Sequence, residues 1–346
     1  MPRIAFVSCV RIPYKDAFDR NPPCVLDASE FEQPVWAHLL EQHLKTPFDA
    51  MLFLGDQVYT DYGQFHGGGN RPLKKNWSPD LFHRLLYTMY SAQYTKVAAF
   101  RHLMQQLHED GVQIGMIWDD HDFGYNNGSG MELKFRNKLG STKVLFEQFL
   151  NTVIQMPSAY PAIPAIPAMT PTQGIERIHN PITLEEDVEI VLLDGRFYRD
   201  VQVGGGASLL GPQWSHLKEK LESLPQGRLM IVCLGSPYSQ TSQSWASNGS
   251  PYANYDEFTA LAGAKHILFL TGDIHKNKLI PQQGFTEVIS SGAHLPPRFF
   301  DDIRMPSNQH CFGLLDIDDT HVDVKLVTNN RVEISQTISR ATGMLS

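Results

Sequence analysis

The sequence predicts an α/β fold, and two observations support this prediction. Short apolar runs, nearly continuous rather than alternating, recur as far as residue 270, and such runs are typical of strands buried on both faces. Stretches of helical period lie between them, and strands that alternate with helices build α/β folds. The strands predicted in this part are Ile4–Val7, Met51–Leu54, Ile114–Trp118, Ile190–Leu193, Leu229–Leu234 and Ile267–Leu270.

The helices between these strands, and the strands after them, follow from the same periodicity. Several helical stretches have Ser, Asp or Pro at a plausible start, and after His275 the pattern changes to strand after strand. We expect this end to be antiparallel. The predicted helices are Ser29–Leu44, Pro79–His108, Lys134–Val153, Pro212–Leu224 and Tyr252–Ala262, and the later strands are Thr286–Ser290, Phe312–Ile317 and His321–Val327.

The chain has 346 residues, which is one large domain or two ordinary ones at about 150 residues per domain. The segment Pro157–Gly174 is rich in Pro and Ala, so it suits neither a regular helix nor an interior strand. We interpret it as a connecting loop. The alternative is that it is a docking site for a partner that binds polyproline II segments. Composition is similar on both sides of this segment. This similarity favours one domain that spans residues 1–346 and consists of two packed half-sheets.

Composition and charge exclude several classes of protein. The sequence is 42% hydrophobic and 19% charged, which excludes a disordered chain, and a net charge of −8 argues against bulk binding of nucleic acid. The four cysteines form no CxxC pair, and no apolar run reaches the length of about 18 residues that a membrane span needs. We therefore expect a soluble, cytoplasmic protein that does not bind membranes, with its oligomeric state left open.

Polar side chains gather where the predicted strands end, and ligands of open α/β sheets bind at that edge. Carboxylates crowded there would repel one another unless cations neutralise them. Asp, His, Tyr and Cys together suit hard or borderline ions, and one carboxylate that bridges two ions is usual in phosphate-cleaving two-metal sites. The segments that follow five of the strands are Ser8–Cys9, Gly55–Asp61, Asp119–Asp122, Asp194–Arg196 and Thr271–His275.

Each of these segments is a weak signal by itself. The glycines before Asp56 and Asp273 allow a tight turn from strand to loop. Asp273 and His275 are two residues apart, so in an extended segment they face the same side. Cys9 has a plain alternative as a small buried hydrophobic residue. The run of acidic residues around His121 is more specific, because a helix N-cap would need only one of them.

Taken in order, the motifs resemble the PhoD-type alkaline phosphatase/phosphodiesterase family, a branch of the calcineurin-like metallophosphoesterases. The resemblance extends from Ile4 to about Val327 and rests on SC, GDQVYTD, WDDHDFGYNN, LDGRFYR and GDIHKN. It implies a four-layer α/β/β/α sandwich of two packed mixed sheets flanked by helices, with a binuclear metal site at the strand ends. It also implies Fe(III) beside Ca(II), and in the cytoplasm Mg(II) or Mn(II) is an alternative second ion.

The resemblance also implies residue roles. By position, Asp120 is favoured over Asp119 as a ligand, and His121 is the histidine that contacts phosphate and serves the leaving group. Asn126 and Asn127 match an asparagine pair, of which one reaches the metal or the phosphate, and we take Asn127 as the catalytic candidate. The implied metal ligands are Cys9 and Tyr59 for the iron, Asp56 as the bridge, Asp120 for the second ion, and Asp273 and His275 from the far half-sheet.

Other residues near these motifs have two interpretations each. Arg196 is a catalytic candidate that holds a phosphate oxygen bidentately, or it ties down a site carboxylate. The Gly-rich segment Tyr62–Arg71 is a flexible rim or lid over the substrate, or a solvated loop. His294 is a candidate for the mouth of the site. Asp122 stands where the family usually has Glu, which puts a supporting role for it in doubt.

These observations predict hydrolysis of a small phosphoester by a hydroxide held on or between two metal ions, with attack in line at phosphorus. The alternative is a phosphate- or nucleotide-binding protein on the same fold that catalyses nothing. The sequence leaves open whether the substrate is a monoester or a diester. Serine-hydrolase, dinucleotide and P-loop chemistry are disfavoured, because the sequence has no GxSxG, GxGxxG or GxxxxGK[ST] motif.

Overall fold

Two six-stranded mixed sheets form the centre of the fold in a computed structural model of the chain. The residues that the structure describes are 1–10, 14–15, 25–26, 33–59, 78–123, 128–130, 137–169, 171–174, 181–185, 187–199, 209–239, 252–293 and 310–346. A separate two-stranded pair is formed by β2 (Tyr14–Lys15) and β3 (Val25–Leu26).

The first sheet combines a parallel half with an antiparallel half. Its strands are β1 (Arg3–Val7), β4 (Ala50–Leu54), β5 (Gln113–Ile117), β12 (Cys311–Ile317), β13 (His321–Thr328) and β14 (Arg331–Ser339). They lie in the order β14-β13-β12-β1-β4-β5. β1, β4 and β5 are parallel, and β12 to β14 are antiparallel to their neighbours. The antiparallel arrangement predicted for β12 and β13 is confirmed.

The second sheet is parallel in its interior and antiparallel at both edges. Its strands are β6 (Ile182–Leu184), β7 (Val188–Leu192), β8 (Leu229–Cys233), β9 (Leu268–Thr271), β10 (Lys278–Pro281) and β11 (Thr286–Ile289). They lie in the order β10-β11-β9-β8-β7-β6. The prediction that the whole end after His275 is antiparallel is wrong for β11, which runs parallel to β9. The unpredicted strand β10 reverses the chain before β11.

The helices follow the predicted pattern with two differences, of which one is an additional four-residue helix after β5. They are α1 (Pro34–Lys45), α2 (Pro79–Lys96), α3 (Ala98–Glu109), α4 (Asp120–Phe123), α5 (Leu139–Gln155), α6 (Gln213–Ser223) and α7 (Tyr255–Lys265). The single helix predicted over Pro79–His108 is two helices, because Val97 has the non-helical dihedrals φ −91° and ψ 88°. Helix α2 begins where the Ser78 hydroxyl accepts from Leu81 N at 3.2 Å, as an N-cap residue does.

The two faces of the second sheet contribute apolar side chains to two different hydrophobic cores. Ile190 lies in the large core shared with the first sheet, and the adjacent Val191 lies in the core that α6 and α7 cover. On the far side of the first sheet, Phe53 of β4 packs against Trp36 of α1 and Phe100 of α3. The layers are therefore helix, sheet, sheet and helix, which confirms the predicted sandwich.

The described part of Pro157–Gly174 contains neither helix nor strand, as its composition predicts. Side chains of α2 hold its backbone: Tyr87 donates to Pro161 O at 3.0 Å, and His83 Nε2 lies 2.8 Å from Pro164 O. The alternative role of this segment as a docking site stays a prediction. Among the helices of the described residues, none is both long enough and apolar enough to cross a membrane.

Candidate metal centre

The candidate ligands lie where strands of both sheets end, and four of them have an unusual backbone. Cys9 follows β1, Asp56 follows β4, and Asp273 and His275 follow β9. All four have positive φ, between 54° and 69°. Only a few per cent of non-glycine residues have positive φ, and such strained positions cluster at functional sites. Four of the ten non-glycine residues with positive φ in the described part of the chain are therefore candidate ligands that the motifs also select.

Asp56 is at the centre of this group of side chains. Its Oδ2 lies 3.3 Å from Cys9 Sγ and 3.2 Å from Tyr59 Oη. Its Oδ1 accepts a hydrogen bond from His121 N at 3.2 Å. All four residues are buried. Oδ2 of Asp56 therefore faces two other candidate ligands, and the contact of Oδ1 is with the backbone of His121.

Further carboxylates converge on Asp56. One oxygen each from Asp56, Asp119, Asp120 and Asp273 lie within 4.8 Å of one another, and ligand atoms of Asp56, Asp120 and His121 form a second such group. Burial raises the pKa of Asp56 well above its ordinary value, and the charges of Cys9 and Asp120 add to the rise. Burial, with repulsion from Asp120, raises the pKa of Asp273 to about 7. Cations would relieve the desolvation and the repulsion that raise these pKa values.

Tyr59 connects the halves of the site that come from the two sheets. Its Oη lies 3.0 Å from Nε2 of His275, and its ring lies against that of His121 with a centroid distance of 4.1 Å. The structure thus brings together seven predicted site residues, namely Cys9, Asp56, Tyr59, Asp120, His121, Asp273 and His275. Asn126, Asn127, His294 and the segment 62–71 lie outside the described residues, so their roles stay predictions.

Arg196 forms a buried ion pair across the two sheets. Its Nε and Nη2 donate to the two oxygens of Asp119, the latter at 3.0 Å, and Nη2 lies 3.4 Å from Asp120 Oδ1. Burial opposes the charge on Arg196, but Asp119 and Asp120 outweigh it and raise the pKa of the guanidinium. These contacts favour the interpretation that Arg196 ties down a site carboxylate. A catalytic role for Arg196 stays a prediction.

Asp122 supports the loops that bear the candidate ligands, although its side chain is one methylene shorter than that of glutamate. Its Oδ1 accepts from Gln57 N at 3.1 Å, from Val58 N at 3.3 Å and from Tyr90 Oη at 3.1 Å. Its Oδ2 accepts from Asp119 N at 2.9 Å. The loop after β4 and the loop after β5 are therefore held by one carboxylate, which settles the doubt about its supporting role.

The two glycines next to candidate ligands have different uses. Gly55 has φ +87°, so it makes the tight turn expected before Asp56. Gly272 is needed for space, because a Cβ there would collide with Ser8 Oγ and lie 2.9 Å from Leu54 O. The first sheet thus approaches the backbone of the second sheet closely at Gly272.

Sequence reasoning missed Ser291, a buried residue that follows β11. Its Oγ lies 3.1 Å from Cys9 Sγ and accepts from His275 N at 2.9 Å. The only signal was a serine directly after the predicted strand Thr286–Ser290, and serines are common at such positions. Its position in the site appears only when the two sheets are brought together.

Comparison with known proteins gives matches among solved structures alone. No protein-family model matches the sequence, and no curated protein matches it. A dimetal phosphatase from Danio rerio is similar with a TM-score of 0.52 and 13% identity, over 98% of this chain and 99% of that one. GAP50, the anchor in the inner membrane complex of Plasmodium, matches with a TM-score of 0.48 and 11% identity, over 98% of this chain and 89% of that one. A calcineurin-like phosphoesterase from Bacillus subtilis matches with a TM-score of 0.37 and 12% identity, over 100% of this chain and 92% of that one.

At 13% identity, the likeness to the Danio rerio protein concerns the fold. The layers and the strand order are seen directly in the described residues of this chain. An acidic cluster that could hold metal ions lies at the strand ends. The chain therefore has the two-sheet α/β fold of a dimetal phosphatase.

Proposed function

We propose that this chain is a metal-dependent phosphoester hydrolase of the PhoD type, with a binuclear site at the strand ends. The observation that carries this proposal is the position of Asp56. One of its oxygens faces Cys9 Sγ and Tyr59 Oη, and it shares a cluster of carboxylate oxygens with Asp120 and Asp273. Such a centre suits one carboxylate that bridges two ions.

The donor set fits two metal ions. Three buried carboxylates and the half-buried Asp273 share the space, and they outnumber the buried guanidinium groups of Arg196 and Arg199 beside them. Burial raises the pKa of Cys9 to about 11, so an anionic sulfur there requires a cation beside it. Carboxylates and imidazole suit hard or borderline ions, and thiolate suits a softer one. The chemistry of the side chains thus supports a mixed pair of metals.

In this proposal, the two sheets share the ligands. Cys9 and Tyr59 would bind Fe(III), with Asp56 between the two ions. Asp120 would hold the second ion, which is Ca(II) in the PhoD-type resemblance, with Mg(II) or Mn(II) as substitutes. Asp273 and His275 would complete the shells from the second sheet.

The other residues act on the substrate, which we propose to be a small phosphoester. When bound, the metal ions would neutralise charge on the phosphoryl oxygens and lower the pKa of water toward about 7. His121, buried against the Tyr59 ring, would donate a hydrogen bond or a proton to the departing oxygen. Arg196 would hold Asp119 in place beside the ligands, and Asn127 would contact the metal or the phosphate.

Metal analysis combined with hydrolysis assays tests the proposal. The purified protein is assayed with a chromogenic phosphomonoester and a phosphodiester, before chelation, after chelation, and after return of Fe, Ca, Mn, Mg or Zn. We expect about two metal ions per chain and hydrolysis that stops on chelation. The hydrolysis rates of the two substrates show whether monoesters or diesters are preferred. Metallated protein that binds phosphate without turnover would support the non-catalytic alternative instead.

Substitutions at three residues separate the proposed roles. His121→Ala should lower turnover by about 10²–10⁴-fold with metal content kept, and His102→Ala on the exposed face of α3 is the control. An equal loss of metal and turnover would contradict the role of His121.

If iron is bound, Cys9→Ala and Tyr59→Phe should change its visible charge-transfer band. A band unchanged by both would contradict the iron ligands.

A further inference from the structure

Ser291 connects two candidate metal ligands that come from different sheets. It follows β11 and has no exposed surface. Its Oγ lies 3.1 Å from the sulfur of Cys9, which follows β1. The same oxygen lies 2.9 Å from the backbone N of His275, which follows β9. One hydroxyl therefore contacts a ligand atom from the first sheet and the backbone of a ligand from the second.

The direction of these two hydrogen bonds follows from the atoms involved. A backbone N–H only donates, so His275 N donates to Ser291 Oγ. A serine hydroxyl has a single proton, and among the described residues the other short contact of Ser291 Oγ is the Cys9 sulfur. Ser291 therefore donates to Cys9 Sγ. Ser8 Oγ is farther from this sulfur, at 3.6 Å, and also lies 3.2 Å from Ser290 O.

We propose that Ser291 is a positioning residue of the metal centre, which sets the orientation and electron density of the Cys9 sulfur and holds the His275 segment beside it. The proposal rests on the proposed function, in which Cys9 and His275 are metal ligands. A hydrogen bond donated to a ligand sulfur draws electron density from it, and such bonds tune metal–thiolate sites. Partners that orient ligands in this way affect metal affinity by about 10–100-fold.

Co(II) is a suitable probe, because a thiolate bound to it gives a charge-transfer band in the near ultraviolet. The full chain is stripped with a chelator and titrated with Co(II) while its absorption is recorded. The variants are Ser291→Ala, Cys9→Ala and the matched control Ser290→Ala. Ser290 Oγ lies 2.9 Å from Asn277 Oδ1, so the control removes an adjacent buried hydroxyl that is bonded elsewhere.

In Ser291→Ala we expect the band to move to longer wavelength, because a sulfur without this hydrogen bond donates charge more readily. We also expect Co(II) affinity to fall by about 10–100-fold. Ser290→Ala should leave the band at the wild-type position. Ser291→Thr and Ser291→Val have the same shape and differ in the hydroxyl, so this pair gives the same comparison if the alanine variant does not fold. The threonine variant should keep the wild-type band and the valine variant should not.

The outcomes distinguish this inference from the function on which it rests. If Cys9→Ala abolishes the band but Ser291→Ala leaves both band and affinity unchanged, the role of Ser291 is wrong and the ligand set stands. An equal shift in Ser290→Ala would also overturn it, because the effect would then come from packing. If wild-type protein binds no Co(II), or its band survives Cys9→Ala, the proposed ligand set is overturned instead.

Discussion

A buried carboxylate accepts several hydrogen bonds on each side of the candidate site, Asp122 on the first-sheet side and Glu287 on the second-sheet side, and the two work differently. On the first-sheet side, Asp122 accepts hydrogen bonds from the backbone of Gln57, Val58 and Asp119. These residues adjoin candidate ligands in two separate loops. A single side chain therefore positions the backbone of both loops.

On the second-sheet side, Glu287 of β11 accepts from Tyr238 N at 2.6 Å and from Thr271 Oγ1 at 3.0 Å. Both partners lie outside the segment Asp273–His275. That segment is shaped by its own left-handed backbone and by the bond from His275 N to Ser291. The comparison teaches that loss of Asp122 should damage the metal site, whereas loss of the charge on Glu287 should change stability alone.

The largest effect is expected where the two halves are tied together. Arg196→Met removes the cation from a fully buried pair and leaves Asp119 without its guanidinium partner. Removal of one partner of such a pair costs about 3–5 kcal/mol. We therefore expect about 4 kcal/mol less stability in urea unfolding of chelator-treated protein.

Arg84→Met is the matched control for this comparison. Arg84 pairs with Asp80 at 2.7 Å on the surface of α2, with more than half of each side chain exposed. An exposed pair four residues apart contributes about 0.5 kcal/mol or less. Similar small losses in both variants would show that Arg196 does not tie the halves together.

A somewhat smaller effect is expected for Asp122→Ala. It leaves the N–H groups of Gln57, Val58 and Asp119 without their acceptor, and each unsatisfied buried group costs about 1–3 kcal/mol. We expect a loss of about 3 kcal/mol in total, and metal affinity lower by about 10–100-fold. Urea unfolding and metal titration measure the two effects.

The control for Asp122 is Asp80→Ala. Asp80 pairs with Arg84 at 2.7 Å and both side chains are more than half exposed, so its loss should cost less than about 1 kcal/mol. If Asp122→Ala unfolds more easily but binds metal as wild type does, its carboxylate stabilises the core without positioning the site. The contrast with Glu287 would then disappear.

The sequence predicts the interior strands and the gathering of candidate ligands at their ends, because both depend on local patterns. Buried parallel strands are continuous apolar runs, and the residues after them meet at one edge. The partners of Asp122 are not visible in this way, since Gln57 and Tyr90 are 65 and 32 residues away. Ser291 is 282 residues from Cys9. The Ser291 contact depends on how the two sheets pack, and the Asp122 contacts depend on how α2 and the loop after β4 approach the loop after β5.

The missed secondary structure also has a physical cause. Strand β14 is mostly exposed, so its side chains give no clear apolar pattern. Strand β10 has four residues, none of them fully buried, and ends at Pro281. The break at Val97 lies within a stretch of helical composition, and valine fits a helix only slightly less well than other residues. Composition therefore gives no sign that two helices meet there.

The smallest effect is expected for Glu287→Gln, and its pH dependence completes the comparison. Burial raises the pKa of Glu287 from 4.5 to about 7 in the folded chain. Protonation therefore stabilises the fold fully below about pH 4.5, and this contribution is lost as the pH rises through about 7. The glutamine amide has no charge to desolvate, and its oxygen still accepts from Tyr238 N and Thr271 Oγ1. From about pH 5 to about pH 8.5 the variant should gain about 2 kcal/mol of stability over wild type in urea unfolding. Its metal affinity should match wild type, because Glu287 does not touch Asp273–His275; a fall like that in Asp122→Ala would show that both carboxylates position the ligands.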